Sequence, residues 1–204
     1  MSKLFLALSF KDVADIFEKF AGTAEGKTVT FIPTASAVEK VNFFVKSGKK
    51  ALEKMGLIVD ELEISAAGID EIREKLTAND FIYISGGNTF YLLQELRKSG
   101  AGEIIRQQVE LGKIYIGESA GSMVAAPNIA FAQGMDSVKK ASELVSMEGL
   151  GLADFYVVPH YTNAPFKKAA EKIIAEYGEK LTLHPISNKQ AILVDDGVMR
   201  IETL

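Results

Sequence analysis

Six short apolar runs, at residues 4–10, 28–32, 57–64, 81–84, 113–116 and 155–158, constrain the fold of this chain more than any other feature. Each is rich in β-branched or aromatic residues and bounded by Gly, Pro, Asn or Asp, the pattern of strands. Their hydrophobicity is continuous and does not alternate, which is the condition of strands covered on both faces. Between them lie segments with helical spacing at 38–55, 69–76, 90–96, 104–111 and 169–177. Strand and helix in alternation predict a doubly wound α/β fold, a mostly parallel sheet between helix layers. The C-terminal part departs from this rhythm. Residues 181–185, 190–194 and 198–202 are short strand-like runs, and Asp195-Asp196-Gly197 joins the last two as a hairpin signal. A C-terminal β-hairpin is therefore expected.

The 204 residues contain no repeat, low-complexity tract or linker-like stretch, so a single domain over 1–204 is expected. The net charge of −4 offers no basic footprint for nucleic acid or an anionic membrane. A short peptide or other small substrate is the expected partner; a homodimer is allowed, and nothing in the residues requires it. The apolar run after Lys3 has no small-residue cleavage site and is too short to span a bilayer, so it reads as a first strand and not a signal. With 0 Cys there is no disulfide framework, no thiolate zinc site and no cysteine nucleophile, and a cytoplasmic setting fits. The 2 His lack a paired ligand motif, so no metal is expected, and without a P-loop ending or G-x-G-x-x-G no nucleotide cofactor is expected either.

The chemistry concentrates at Gly117-Glu118-Ser119-Ala120-Gly121-Ser122, directly after the 113–116 run and before a helix-compatible stretch. This is G-x-S-x-G in the strand-turn-helix context a nucleophile elbow requires. The nucleophile sits in a strained backbone conformation, and glycine on both sides removes side chains that would collide there. At a helix N-terminus the dipole would also favour developing negative charge. The competing reading is a glycine-flanked Ser119 that caps a helix or holds an anion without chemistry.

A general base must come from the two histidines. His160 ends the 155–158 run at Val158-Pro159-His160, at the carboxyl end of a predicted strand, where active sites of such sheets collect. His184 lies inside the 181–185 run and reads as structural. A third signal, Ser85-Gly86-Gly87-Asn88-Thr89-Phe90, again sits between strand and helix. Adjacent glycines let backbone N–H groups face a ligand, so Gly87 and Ala120 are the expected oxyanion donors. The plainer alternative is a Gly-rich turn in which Asn88 or Thr89 caps the following helix.

Taken in order, the strand-GGNTF-helix segment, the GESAGS elbow and Pro159-His160-Tyr161-Thr162-Asn163 resemble the peptidase E family of aspartyl dipeptidases over nearly the whole chain. That resemblance implies a sheet related to class I glutamine amidotransferases, with serine in place of the cysteine nucleophile. It also implies serine-type hydrolysis of short peptides, including dipeptides with an N-terminal Asp. Carried onto this sequence it makes Ser119 the nucleophile and His160 the base. Gly86, Asn88, Glu118, Thr162 and Asn163 become the expected substrate contacts.

The chain departs from the family at three places. Where the dipeptidases carry an acidic third catalytic member, register with Asp196-Gly197 places Asn188, which can hold an imidazole but supplies no charge. Asp195 and Asp154 stand as alternative partners for His160. The arginine-containing insert that helps hold a substrate Asp is absent after the histidine, and Glu118 replaces the aromatic residue before the nucleophile. A relative acting on another acyl compound, such as a β-aspartyl peptide or an amino-acid amide, is the enzymatic alternative. A catalytically silent ligand-binding homologue is the non-enzymatic one.

Overall fold

The computed structural model describes residues 2–204. Its strands are β1 (Lys3–Ala7), β2 (Thr28–Ile32), β3 (Ile58–Glu61), β4 (Phe81–Ile84), β5 (Ile114–Glu118), β6 (Tyr156–Val158), β7 (Leu183–Pro185), β8 (Gln190–Asp195) and β9 (Val198–Thr203). The helices are α1 (Ala14–Ala21), α2 (Phe43–Lys54), α3 (Ile69–Ala78), α4 (Thr89–Lys98), α5 (Ala101–Glu110), α6 (Ala120–Met123) and α7 (Lys167–Tyr177). Seven strands form one sheet in the order β3-β2-β4-β5-β1-β8-β9. The first five of these are parallel, and β8 and β9 add as an antiparallel hairpin beside β1. This is the doubly wound α/β architecture with its C-terminal hairpin.

Alternate residues of each strand face opposite layers. Leu4, Leu6, Ile82, Ile84 and Tyr115 pack with Leu76, Leu93 and Ile105 of α3, α4 and α5. Phe5, Val29, Phe31, Tyr83 and Ile116 pack on the other face with Phe17 of α1 and Leu52 of α2. The second layer is aromatic at its centre: Phe10 meets Phe17 and Tyr83 edge-on at 5.4 Å, and Phe31 stacks on Tyr83 at 5.0 Å. Such pairs contribute about 0.5–1.5 kcal/mol each beyond their buried area. Burial on both faces explains the continuous apolar runs of β1, β2, β4 and β5.

Several elements differ from the sequence reading. The first run stops being strand at Ala7, and Phe10 enters a 3-10 turn (Phe10–Asp12), where its ring is needed in the aromatic cluster and its amide is bonded by Glu118. Leu62 and Ile64 are buried beyond the end of β3, as packing residues outside the ladder. The 38–55 helix begins only at Phe43. The run at 155–158 does not join the main sheet; β6 pairs with β7 in a separate two-stranded parallel ribbon, with Val157 opposite His184. Among the described residues no helix is long and apolar enough to cross a membrane.

Candidate active site

Every segment of interest follows the carboxyl end of a strand. Ser119 leaves β5 with φ 51° and ψ −105°, a conformation strained for any residue with a side chain. Its amide donates to Ala7 O of β1 at 2.9 Å. The flanking glycines are there for close approach. A Cβ on Gly117 would come within 2.7 Å of Gly121 O, and one on Gly121 would collide with the Ile84 carbonyl. Ser119 makes no side-chain cap hydrogen bond, so the capping alternative does not describe it. Ser122 supplies the local bracing instead, donating to Ala7 O at 2.8 Å or Gly117 O at 2.7 Å. Because α6 is only four residues long, the macrodipole expected behind Ser119 is small, and local N–H groups must hold any oxyanion.

His160 follows β6 with φ 67°, and its Nε2 lies 3.4 Å from Ser119 Oγ. That is long for a formed bond and within the range of an unliganded nucleophile-base pair. The ring stacks obliquely on Phe166, centroids 4.8 Å apart. Burial pushes the imidazole pKa down to about 4, so the ring is neutral and able to accept a proton at pH 7. Among the described residues Ser119 is the only hydrogen-bond partner of this ring.

The Gly86-Gly87 loop lies against the nucleophile. A Cβ on Gly86 would stand 3.2 Å from Ser119 Cβ and 3.6 Å from the Phe44 ring. Gly87 has φ 142°, and a Cβ there would collide with the Ala35 carbonyl, so this position admits glycine alone. The same carbonyl accepts the Asn88 amide at 2.8 Å. Ala120, the other expected donor, directly follows Ser119 and is buried.

Two expected substrate contacts are placed elsewhere. Asn88 is 1% exposed and caps α4, with Oδ1 accepting Tyr91 N–H at 2.9 Å and Nδ2 donating to Ser137 O at 3.2 Å. The structure thus shows the helix cap that was the plainer alternative for that residue. Glu118 is 4% exposed, and its carboxylate accepts the Phe10 amide at 2.9 Å and the Tyr83 hydroxyl at 2.8 Å. Burial raises its pKa to about 7 against those hydrogen bonds. Thr162 and Asn163 lie in the turn after His160, where Asn163 N–H donates to His160 O at 3.1 Å.

Of the expected partners for His160, Asp195 and Asp154 are placed away from it. Asp195 pairs with Lys3 at 3.3 Å, at the end of β1 opposite Ala7, and Asp154 precedes β6 and acts on His184. Asn188 is nearer by chain path: Ile186 accepts Tyr161 N–H at 3.3 Å, two residues before it. Its Nδ2 donates to Asp12 Oδ2 at 3.4 Å. His184 packs edge-on against Phe155 at 5.0 Å, as a structural residue would. Tyr83, Phe10, Asp12, Phe44 and Phe166 were not marked by sequence. The one available signal was a carboxylate, Glu118, ending a strand buried throughout.

The model of peptidase family S51 matches residues 2–202. An uncharacterized peptidase of Listeria innocua is 55% identical over 196 residues, covering 96% of this chain and 94% of its own length. Another from Pasteurella multocida is 54% identical, covering 96% and 95%. A crystal structure of a Listeria monocytogenes protein assigned to peptidase E superposes with a TM-score of 0.96 at 51% identity, covering 100% of this chain and 99% of that one.

Proposed function

Because the chain belongs to peptidase family S51 and is a serine-type, peptidase E-like hydrolase of short peptides, we propose that Ser119 and His160 carry its chemistry. The observation that supports this best is the 3.4 Å approach of Ser119 Oγ to His160 Nε2 at a serine held with positive φ. Ser119 Oγ attacks the scissile carbonyl carbon while His160 Nε2 takes the hydroxyl proton and returns it to the leaving amine. Water then attacks the acyl-enzyme by the same route, and the acid product and free Ser119 result. Gly87 and Ala120 N–H groups hold the oxyanion in both halves.

Asn188 is the proposed orienting residue for His160, since it alone of the three expected partners has its chain beside the histidine turn. In the substrate, an N-terminal Asp finds no arginine fork. Arg97 is bonded to Glu148, Arg106 to Glu103 and Arg200 to Glu202, and Arg73 lies on the exposed side of α3. Short peptides without a strict acidic requirement therefore fit better than Asp dipeptides alone. The reading carries a cytoplasmic setting and allows a homodimer, which sedimentation would measure.

Hydrolysis of a dipeptide library by purified protein, with Ser119→Ala as control and fluorophosphonate labelling of Ser119, tests it. Turnover and labelling that both vanish in Ser119→Ala support the assignment. A protein that neither cleaves the library nor takes the label is a silent binding homologue.

A further inference from the structure

Glu118 is a buried carboxylate that the Ser119-His160 chemistry leaves unused. It is 4% exposed, and no cation bonds to it among the described residues; its charged neighbour, Asp12, has the same sign. Burying an ion without a counter-charge costs several kcal/mol unless hydrogen bonds replace its water. Here two donors bond to it, the Phe10 amide after β1 and the Tyr83 hydroxyl on β4, and the Gly86 amide just after β4 is near enough to favour its charged form. Gly48 of α2 closes the space above, where a Cβ would come within 2.5 Å of Tyr83 Oη and 3.3 Å of Glu118 Oε2.

The loop that Glu118 reaches has a particular need. Gly86 and Gly87 have no side chains by which packing could hold them, so backbone groups are the only handles. Ser85 N–H is fixed on Ile32 O at 3.0 Å and Asn88 N–H on Ala35 O at 2.8 Å, which secures the two ends of the loop. Between them the Gly86 amide faces the Glu118 carboxylate.

We propose that Glu118 is a positioning residue: its carboxylate, anchored on Phe10 and Tyr83, holds the Gly86 amide and so fixes the direction in which the Gly87 N–H points at the reacting carbonyl. This rests on the assignment of Gly87 as an oxyanion donor and replaces the expected contact of Glu118 with substrate.

Glu118→Gln, Glu118→Ala and Tyr83→Phe test it by kcat, KM and affinity for a peptide aldehyde, whose adduct with Ser119 carries an oxyanion. Glu118→Ala is expected to lose about 100-fold in kcat, the range for one misplaced oxyanion donor, with KM changed less than about twofold and aldehyde affinity falling with kcat. Glu118→Gln, which keeps a carbonyl acceptor, should recover kcat to within about tenfold of the parent, and Tyr83→Phe should lose about threefold to tenfold. A raised KM at unchanged kcat in Glu118→Ala would show a substrate contact and overturn the proposal. So would equal losses in Gln and Ala that track the folded fraction. If Ala does not fold, parental kcat and aldehyde affinity in both Gln and Tyr83→Phe overturn it. A parent enzyme that fails to label at Ser119 would instead overturn the peptidase chemistry itself.

Discussion

Glu118 and His160 are displaced in opposite directions by one cause: burial raises the carboxyl to about 7 and lowers the imidazole to about 4. Each change disfavours charge beside Ser119. The two also affect stability with opposite sign.

A carboxyl raised from 4.5 binds more protons folded than unfolded, so its contribution is present below about pH 4.5 and is lost as pH rises to about 7. An imidazole lowered from 6.5 binds fewer, so its contribution is absent below about pH 4 and grows as pH rises to 6.5. At about 1.4 kcal/mol per pK unit, each is worth about 3 kcal/mol and the two nearly cancel. Relative to the parent, Glu118→Gln should gain stability with rising pH over this window and His160→Gln should lose it. Urea unfolding at a series of pH values measures both slopes, and parallel curves for all three proteins would contradict the burial of these groups.

With His160 as the proposed base, held neutral down to about pH 4, the acid limb of kcat/KM should lie near pH 4. A limb near the ordinary histidine value of about 6.5 would mean that the ring is solvated in the free enzyme. The pH profile with a neutral dipeptide decides.

Ser119→Ala and His160→Ala should each remove nearly all turnover, and the double variant should be no worse, because parts of one catalytic unit fail together. His184→Ala should retain most activity, as its ring contacts Phe155 and not the nucleophile. Loss of turnover in His184→Ala with retention in His160→Ala would reverse the assignment.

Asn188→Asp alone would set two carboxylates together, since Asp12 Oδ2 lies 3.4 Å from the Asn188 amide. The exchange variant Asp12→Asn/Asn188→Asp avoids that repulsion and offers His160 a charge for its imidazolium. Its kcat should rise several-fold and its acid limb should move to higher pH. Asp195→Ala should change neither, being tied to Lys3 at 3.3 Å. An unchanged pH profile in the exchange variant would remove Asn188 from the mechanism.

Asp-Leu should be preferred over Asn-Leu by no more than about tenfold, which corresponds to about 1.4 kcal/mol. Steady-state kcat/KM on Asp-, Asn-, Glu- and Ala-initiated dipeptides gives the ratio. A preference above about a hundredfold would require a cation that none of the arginine pairings provides.

Sequence showed the parts of the molecule whose physics is local. The central strands β1, β2, β4 and β5 are legible because burial on both faces leaves an unbroken apolar run, and the elbow because Gly117 must clear the Gly121 backbone and Gly121 the Ile84 carbonyl. The fate of residues 155–158 was not legible: an apolar run states that a strand is buried and is silent on which strand pairs with it. The inward bonding of Glu118 and Asn88 was not legible for a related reason. A polar side chain beside a motif points toward the ligand or into the fold, and only Tyr83, Phe10 and Tyr91, distant or unremarkable in sequence, decide that these two point inward. Asp195 lost its candidacy when the antiparallel register of β8 set it opposite Lys3 and not Ala7.

The sheet order also sets a sequence of assembly. The Ala7 carbonyl that receives the Ser119 amide belongs to β1, which sits between β5 and β8. A ribosome emits β1 first, yet that strand gains its neighbours only when residues 114–118 and then 190–195 have emerged. His160 is made between those two events. The proposed nucleophile thus lacks its proposed base until residue 160 has been made, and β1 has a neighbour on both sides only once β8 has followed.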